Sequence, residues 1–363
     1  NVFDFFVKFL SNVFHILLSN SLAYKICEPA FLKPKSSPPA PVKKELIFME
    51  ISSHRCYLSK MVKTFIKTED RVQSFFKRGL SFNFDGETYK VIQSEKPTIS
   101  ANGECKTDLY VKAKSLNGKE KEFKFSIKQT NYWFVANKIK LERLRQIFGE
   151  NAQKRISEEL LKIKDIFYEN KLIYYRGKDK NIRIGWKFEV GKGKGGFLSS
   201  KLNLTNDEKI DFYAGTSLPK EKKDALIDGV IVKDSGISNY IIVTDSKEKT
   251  IQDYAEKIQA ISNYAPKVDL YFACKGINYR VNKNKWDGNR PLSVWVKWSK
   301  SVSTNQIDAK LIFDNPLSIS GDEVGKNIEK ILNEIQIDDS NFEELGDFFK
   351  KFDSAFKDRA EKD

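Results

Sequence analysis

An aspartate and a lysine, Asp108 and Lys128, sit near the two ends of GECKTDLYVKAKSLNGKEKEFKFSIKQ, which runs from Gly103 to Gln129. A carboxylate can hold a divalent metal against a phosphate. A lysine can orient or activate the attacking water and offset the negative charge that develops. Within EFKFSIK, strand alternation puts Phe123, Phe125 and Ile127 on one face and Glu122, Lys124, Ser126 and Lys128 on the other. The aromatic face is expected to pack on a helix, leaving Ser126 and Lys128 to project together. Asp108, at the start of the preceding strand, is expected to reach the same end of the sheet.

Such a site normally has a second acid two residues before the lysine, where this chain has Ser126. Glu122 is on the same strand face, but six residues from Lys128 is roughly 20 Å along an extended chain, too far to share one metal. Glu142 is the better candidate, because it falls on the stripe Val135, Ile139, Glu142, Gln146 and is expected to turn toward the sheet. Glu69 and Glu104 are further candidates for a metal or water contact, although both also fit ordinary helix-start or loop carboxylates.

Asp108, Ser126-Ile127-Lys128 and Glu142 resemble the PD-(D/E)XK nuclease motif, in the variant of some type II restriction endonucleases whose second acid has moved to the next helix. Over roughly residues 69 to 148, the resemblance implies a restriction-endonuclease-like core: a mixed central sheet flanked by helices. It also implies Mg²⁺-dependent hydrolysis of double-stranded DNA and a homodimer. Asp108 and Glu142 would hold the metal, Lys128 would assist the water, and Ser126 would line the site. Thr107 stands where the motif has proline, and Ser126 where it has an acid. The same residues also fit a basic hairpin whose charges are solvated.

Composition narrows the alternatives. The chain has 63 Lys and Arg against 49 Asp and Glu, a net charge of +14, which favours a polyanionic partner. From Gly321 onward there are 13 acidic and 7 basic residues, so the body carries +20 and the tail opposes it. There are two histidines, His15 and His54, both near the N-terminus. Chemistry built on histidine, including Ser-His-Asp hydrolysis and zinc hydrolysis, therefore has no residues in the body to carry it. Four dispersed cysteines without a CxxC pair argue against a structural zinc or a disulfide framework, and for a reducing, cytoplasmic setting rather than secretion.

The elements that must position this chemistry follow from the pattern. The opening NVFDFFVKFLSNVFHILLS is apolar but broken by Asp4, Lys8 and His15, so it fits neither a spanning helix nor a secretory signal, and no stable membrane association is expected. A Pro-rich linker, KPKSSPPAPVKK, follows. Residues 1–48 form this leader and linker, and the working protein is expected to start near Met49 or Met61. Residues 61–170 are expected to be the catalytic core of an α/β (α+β) fold. Its parts are a helix over EDRVQSFFKRGLSF, a strand over GETYKVIQS, a hairpin turning at Asn117-Gly118, and helices over YWFVANKIKLERLRQIF and ISEELLKIKDIFYEN.

Residues 171–320 read as a β-rich recognition region of short strands, interrupted by one helix over TIQDYAEKIQAISNYA, and residues 321–363 as acidic amphipathic helices. Base-reading side chains are sought in Arg280, Asn282, Lys283, Asn284, Lys285, Asn289 and Arg290, interleaved with Tyr279 and Trp286. Lys192 and Lys194 of GKGKGG are candidate phosphate contacts, although the segment lacks the residue order of a nucleotide-binding loop. Asp228 and Asp269 read as turn residues. Taken together, these features favour a sequence-specific endonuclease of the restriction-modification type. The alternatives are a junction or repair nuclease of the same superfamily, and a non-catalytic DNA- or RNA-binding protein.

Overall fold

The structure, a computed structural model, describes residues 67–100, 104–137, 139–300 and 307–345. The apolar leader, the Pro-rich linker, both histidines, both methionines and the chain end lie outside the described residues. The described part belongs to one compact unit. It is a mixed α+β arrangement whose cores are two sheets.

The first sheet is the one that carries Asp108 and Lys128. Helix α1 (residues 67–75) precedes β1 (Ser81–Phe84) and β2 (Glu87–Glu95), joined by a tight turn in which Asp85 and Gly86 both take positive φ. Strands β3 (Leu109–Ser115) and β4 (Glu120–Gln129) form the expected hairpin, with Gly118 at φ 82° in its turn. Strand β5 (Phe134–Ala136) follows. Helices α2 (Leu141–Phe148), α3 (Ala152–Leu161) and α4 (Lys164–Tyr168) then lead to strands β6 (Ile173–Arg176), β7 (Asp179–Lys192) and β8 (Ser199–Lys201).

The next stretch holds α5 (Asn206–Ala214), α6 (Lys220–Lys223), β9 (Ala225–Ile227), β10 (Val230–Val232) and β11 (Tyr240–Thr244). After these come α7 (Ile251–Ala255), β12 (Ile258–Ala260), α8 (Ile261–Tyr264), β13 (Leu270–Arg280) and β14 (Lys285–Trp286). The last elements are β15 (Pro291–Lys300), β16 (Ile307–Ile312), β17 (Ile319–Ser320) and α9 (Gly321–Glu334).

The first sheet has the order β1-β2-β3-β4-β11-β12. Its first four strands are an antiparallel meander, and β11 joins β4 in parallel, with Ile241 opposite Ser126 and Val243 opposite Lys128. Two strands drawn from residues 171–320 therefore complete the sheet of the expected catalytic core, so the two regions share a sheet. A parallel neighbour requires a long crossover, and here the crossover contains much of the second sheet. That second sheet has the order β14-β13-β7-β15-β16, with β5, β6, β8 and β17 pairing along its sides.

Alternation in β4 explains the packing of the first sheet. Phe123, Phe125 and Ile127 bury against Val72 of α1, Phe76 just after it, and Phe82, Tyr89 and Ile242. The rings of Phe76 and Phe125 lie 5.2 Å apart, and those of Phe82 and Phe123 5.3 Å apart in an edge-to-face contact. Each such phenylalanine contributes about 2–3 kcal/mol of burial. A larger core gathers residues of β7 and β13 with α3, α5 and α9. Helix α9 starts with a capping box between Ser320 and Glu323 and buries Val324, Ile328, Ile331 and Leu332, as its amphipathic sequence predicts.

Three expected helices are corrected. The run from Tyr132 is β5 followed by extended chain, and the helix begins only at Leu141, because Phe134 and Ala136 pair with β7 instead of continuing a turn. Leu80 lies beyond α1 and is 45% exposed. The stretch TIQDYAEKIQAISNYA divides into α7, β12 and α8, since β12 is recruited as an edge partner of β11.

Candidate active site

Asp108 enters the hairpin just before β3, where its backbone N–H donates to Phe125 O at 2.8 Å. Its Oδ2 accepts the Ile127 N–H at 2.7 Å and the Lys128 ammonium at 3.4 Å. The backbone of β4 therefore fixes the carboxylate directly. Oδ1 receives no hydrogen bond among the described residues, and the Asp108 and Lys128 side chains are each about a quarter exposed. One oxygen orients the group while the other remains open to a ligand.

Helix α1 adds a second acid. Gln129 Nε2, one residue past Lys128, donates to Thr68 Oγ1 at 2.9 Å, and the Ser246 hydroxyl, after β11, reaches the same oxygen at 3.3 Å. Arg71 donates to Glu248 O at 2.8 Å. These bonds pin the start of α1 to the C-terminal ends of β4 and β11, near enough for Glu69 to feel the Asp108 charge. Burial and then the Asp108 charge push the Glu69 carboxyl above the usual carboxylate range, against the pull of Lys96 and Lys128. Lys96 bridges Glu69 at 3.4 Å and Asp70 at 2.7 Å. A cleft of about 750 Å³ opens alongside, its charges balanced between Lys77, Arg78 and Lys112 and the acids Asp70, Glu95 and Asp228.

A carboxylate whose proton affinity is raised by burial and by a neighbouring carboxylate is a donor that a divalent cation would relieve. Among the described residues no group of three or more His, Cys, Asp or Glu side chains could hold a metal. Magnesium fits a smaller set, because it keeps several waters and takes one or two protein carboxylates together with substrate phosphate. Glu69 and Asp108 suit that requirement in type and number.

Glu142 does not join them. It is exposed on the first turn of α2, and no hydrogen bond or ion pair links it to Asp108 or Lys128. The stripe that pointed it inward assumed helix from residue 135, whereas Val135 belongs to a strand. Its neighbour Arg143 turns inward instead, donating to Asp211 Oδ1 at 3.1 Å and to Asp211 O at 2.9 Å. Ser126 is 2% exposed, between β3 and β11, so it packs within the sheet and lines no open site. Glu104 is exposed in the loop before β3.

Sequence reasoning did not single out the residues behind the site. Lys106, two positions before Asp108, packs its stem against Gly215, and its ammonium reaches Val135 O at 3.5 Å. Burial first, then repulsion from Lys128 and Arg143, pulls this ammonium down to about 8. Asp211 of α5 is 3% exposed, and its Oδ1 accepts Arg143, the Thr216 hydroxyl at 3.0 Å and the Ser217 N–H at 2.8 Å. Burial would raise its carboxyl, but Arg143 and these hydrogen bonds outweigh that and hold it below the ordinary range. No local spacing joins Lys106, Arg143 and Asp211; only the fold does.

The expected recognition residues divide. Arg280 pairs with Asp287 and lies 3.8 Å from Asp179, and Lys283 pairs with Asp179. Asn282 bonds to the backbone of Lys178 and Lys180. Asn284 accepts the Tyr279 hydroxyl, and Trp286 donates to Asp322 at 2.6 Å. Lys285 and Asn289 are exposed and Arg290 half-buried. Lys192 and Lys194 are both exposed. Asp228 occupies a positive-φ turn between β9 and β10, as expected for a turn residue, and Asp269 pairs with Lys201 at 2.8 Å. No helix among the described residues is long and apolar enough to cross a membrane. Comparison with protein-family models, with curated proteins and with solved structures finds no match to this chain.

Proposed function

We propose that this protein is a Mg²⁺-dependent endonuclease that hydrolyses phosphodiester bonds of double-stranded DNA at specific sequences, in the manner of the PD-(D/E)XK nucleases. The observation that carries the reading is the convergence of Asp108, Lys128 and Glu69 at one end of a mixed sheet, with Asp108 locked to the backbone of the strand that bears the lysine. A bound Mg²⁺ would polarise the phosphate and lower the proton affinity of the attacking water. Asp108 and Glu69 would hold it. Lys128, within reach of Asp108, would place its amine where the attacked phosphate becomes more negative. Lys96 neutralises Glu69 and Asp70 at the rim, so the acids do not repel the DNA backbone.

The overall charge of +14 supports a polyanionic substrate. A homodimer is part of this proposal, since two copies of one site can cut both strands. Duplex DNA of mixed sequence, incubated with Mg²⁺ or Ca²⁺, tests it. Discrete fragments in Mg²⁺ that disappear in Asp108→Ala and Lys128→Ala, with binding retained in Ca²⁺, are expected. Binding without any cleavage by the wild-type protein would favour a non-catalytic DNA- or RNA-binding role.

A further inference from the structure

The hairpin of β9 and β10 leaves one strand edge open. Asp228 and Gly229 take φ of 50° and 75°, a two-residue turn that makes Ile227 and Val230 the closing pair. Along an antiparallel ribbon, residues alternate between bonding to the partner strand and pointing away from it. Leu226, opposite Ile231, points away: its N–H donates to Thr98 O at 2.7 Å, and its carbonyl accepts the Thr98 N–H at 3.0 Å. Ile231 therefore directs its own N–H and C=O out from the other side of the hairpin. Among the described residues nothing bonds to either group.

The ribbon is held in place. Buried Ser235 accepts the Ala225 N–H at 3.0 Å and donates its hydroxyl to Val232 O at 2.8 Å, so both strands are tied at the end away from the turn. The open edge is apolar: Val230 is 64% and Ile231 69% exposed, on opposite faces of β10. Edges elsewhere present polar side chains to solvent. Strand β1 exposes Ser81 and Asn83, β12 exposes Gln259, β14 Lys285 and β16 Lys310. From Val230 to Val232 no charge, proline or bulge interrupts the edge, so it is a template for another strand.

We infer that β10 is a self-pairing strand, which joins two copies of this chain antiparallel about a two-fold axis at Ile231. The direction of the free backbone groups fixes the register, because only Ile231 faces outward within β10: each copy donates its Ile231 N–H to the Ile231 carbonyl of the other. Val230 then stands opposite Val232 of the other copy, so both faces of the junction are apolar. Lys233 falls opposite Gly229, next to Asp228 of the other copy, which carries the opposite charge. One patch thus complements itself in hydrogen bonding, in apolar contact and in charge, as a two-fold contact requires. A junction this short belongs to the weak, reversible class of interfaces. Its use in bringing two sites to the two strands of DNA rests on the nuclease reading; the pairing itself does not.

The test is sedimentation of the full chain in a metal chelator over a concentration series from about 1 to about 300 µM, the range in which a weak contact forms. The wild-type protein is expected to pass from monomer to dimer across the series. Ile231→Lys sets two like charges face to face, and Ile231→Pro removes the outward N–H while sparing the bonds to β9. Each is expected to weaken association by about tenfold or more. Ile231→Val, which keeps the strand and its apolar edge, is expected to stay within about twofold of wild type. A wild-type protein that remains monomeric throughout, or a dimer that Ile231→Lys does not weaken, overturns the proposal. Cleavage in Mg²⁺ is read separately. An Ile231-dependent dimer that never cuts DNA would leave the pairing standing and remove the nuclease reading. Cleavage by a protein that stays monomeric would do the reverse.

Discussion

Asp108 with Lys128 and Asp211 with Arg143 are the same kind of pair, a carboxylate facing a cation, placed in opposite surroundings. Asp211 is sealed in, with one oxygen taken by a guanidinium, a hydroxyl and a backbone N–H. Asp108 is also held by one oxygen, but is a quarter open, with its lysine at a long 3.4 Å and its charge felt by a second acid, Glu69. The first arrangement is closed to any ligand, its other oxygen buried without a hydrogen bond among the described residues. The second leaves part of its electrostatic interaction unsatisfied, which suits a site that completes itself with a ligand. The pairs are linked through Lys106, which senses the charges of all four residues.

The largest effect that separates the two is catalytic. Asp108→Ala or Lys128→Ala is expected to lower Mg²⁺-dependent DNA cleavage by about 100-fold or more. The urea midpoint should hardly move, because a partly exposed pair is worth about 0–1 kcal/mol. Single-turnover cleavage and urea titration measure the two sides, and a large stability loss with cleavage intact would abolish the contrast.

Next is the identity of the second acid. Glu69→Ala is expected to reduce cleavage by about tenfold or more, and Glu142→Ala by less than about threefold, since only Glu69 shares an electrostatic environment with Asp108. The opposite ranking in the same cleavage assay would restore the acid on α2 to the site.

The sealed pair should reveal itself in stability. Asp211→Ala removes the carboxylate that faces the part-buried Arg143 and is expected to cost about 3 kcal/mol in urea unfolding, with activity per folded molecule nearly unchanged. The two acids also predict opposite pH slopes. The folded Asp211 carboxyl lies below its ordinary 3.8, so its stabilising contribution is full above that value and is lost as the pH falls through the folded value. The folded Glu69 carboxyl lies above its ordinary 4.5, so the folded state binds the extra proton and stability declines as pH rises from there. Urea midpoints against pH in chelator should lose the acid-side fall in Asp211→Asn and the higher-pH decline in Glu69→Gln.

The smallest effect concerns the basic surface. Lys192→Ala/Lys194→Ala is expected to reduce the salt dependence of duplex binding by about two counterions. Arg280→Ala/Lys283→Ala should leave it nearly unchanged, because Asp179 and Asp287 already neutralise those charges. Binding measured across a salt series decides, and a larger change at Arg280 and Lys283 would return recognition to the β13–β14 hairpin.

The sequence by itself determined the hairpin of β3 and β4, because period-two alternation around a Gly118 turn admits little else, and with it the apposition of Asp108 and Lys128. It also identified α9 by its capping residues and apolar stripe. Tertiary structure decided the rest. The segment from Tyr132 carries helical spacing, yet the edge of β7 offered backbone hydrogen bonds that converted its start to a strand and turned Arg143 inward in place of Glu142. Glu69 looked like any acid opening a helix until Gln129 and Ser246 tied that helix to the strand ends. A local pattern specifies which face of an element is apolar; which elements meet, and therefore which charges share a site, depends on contacts between residues far apart in the chain.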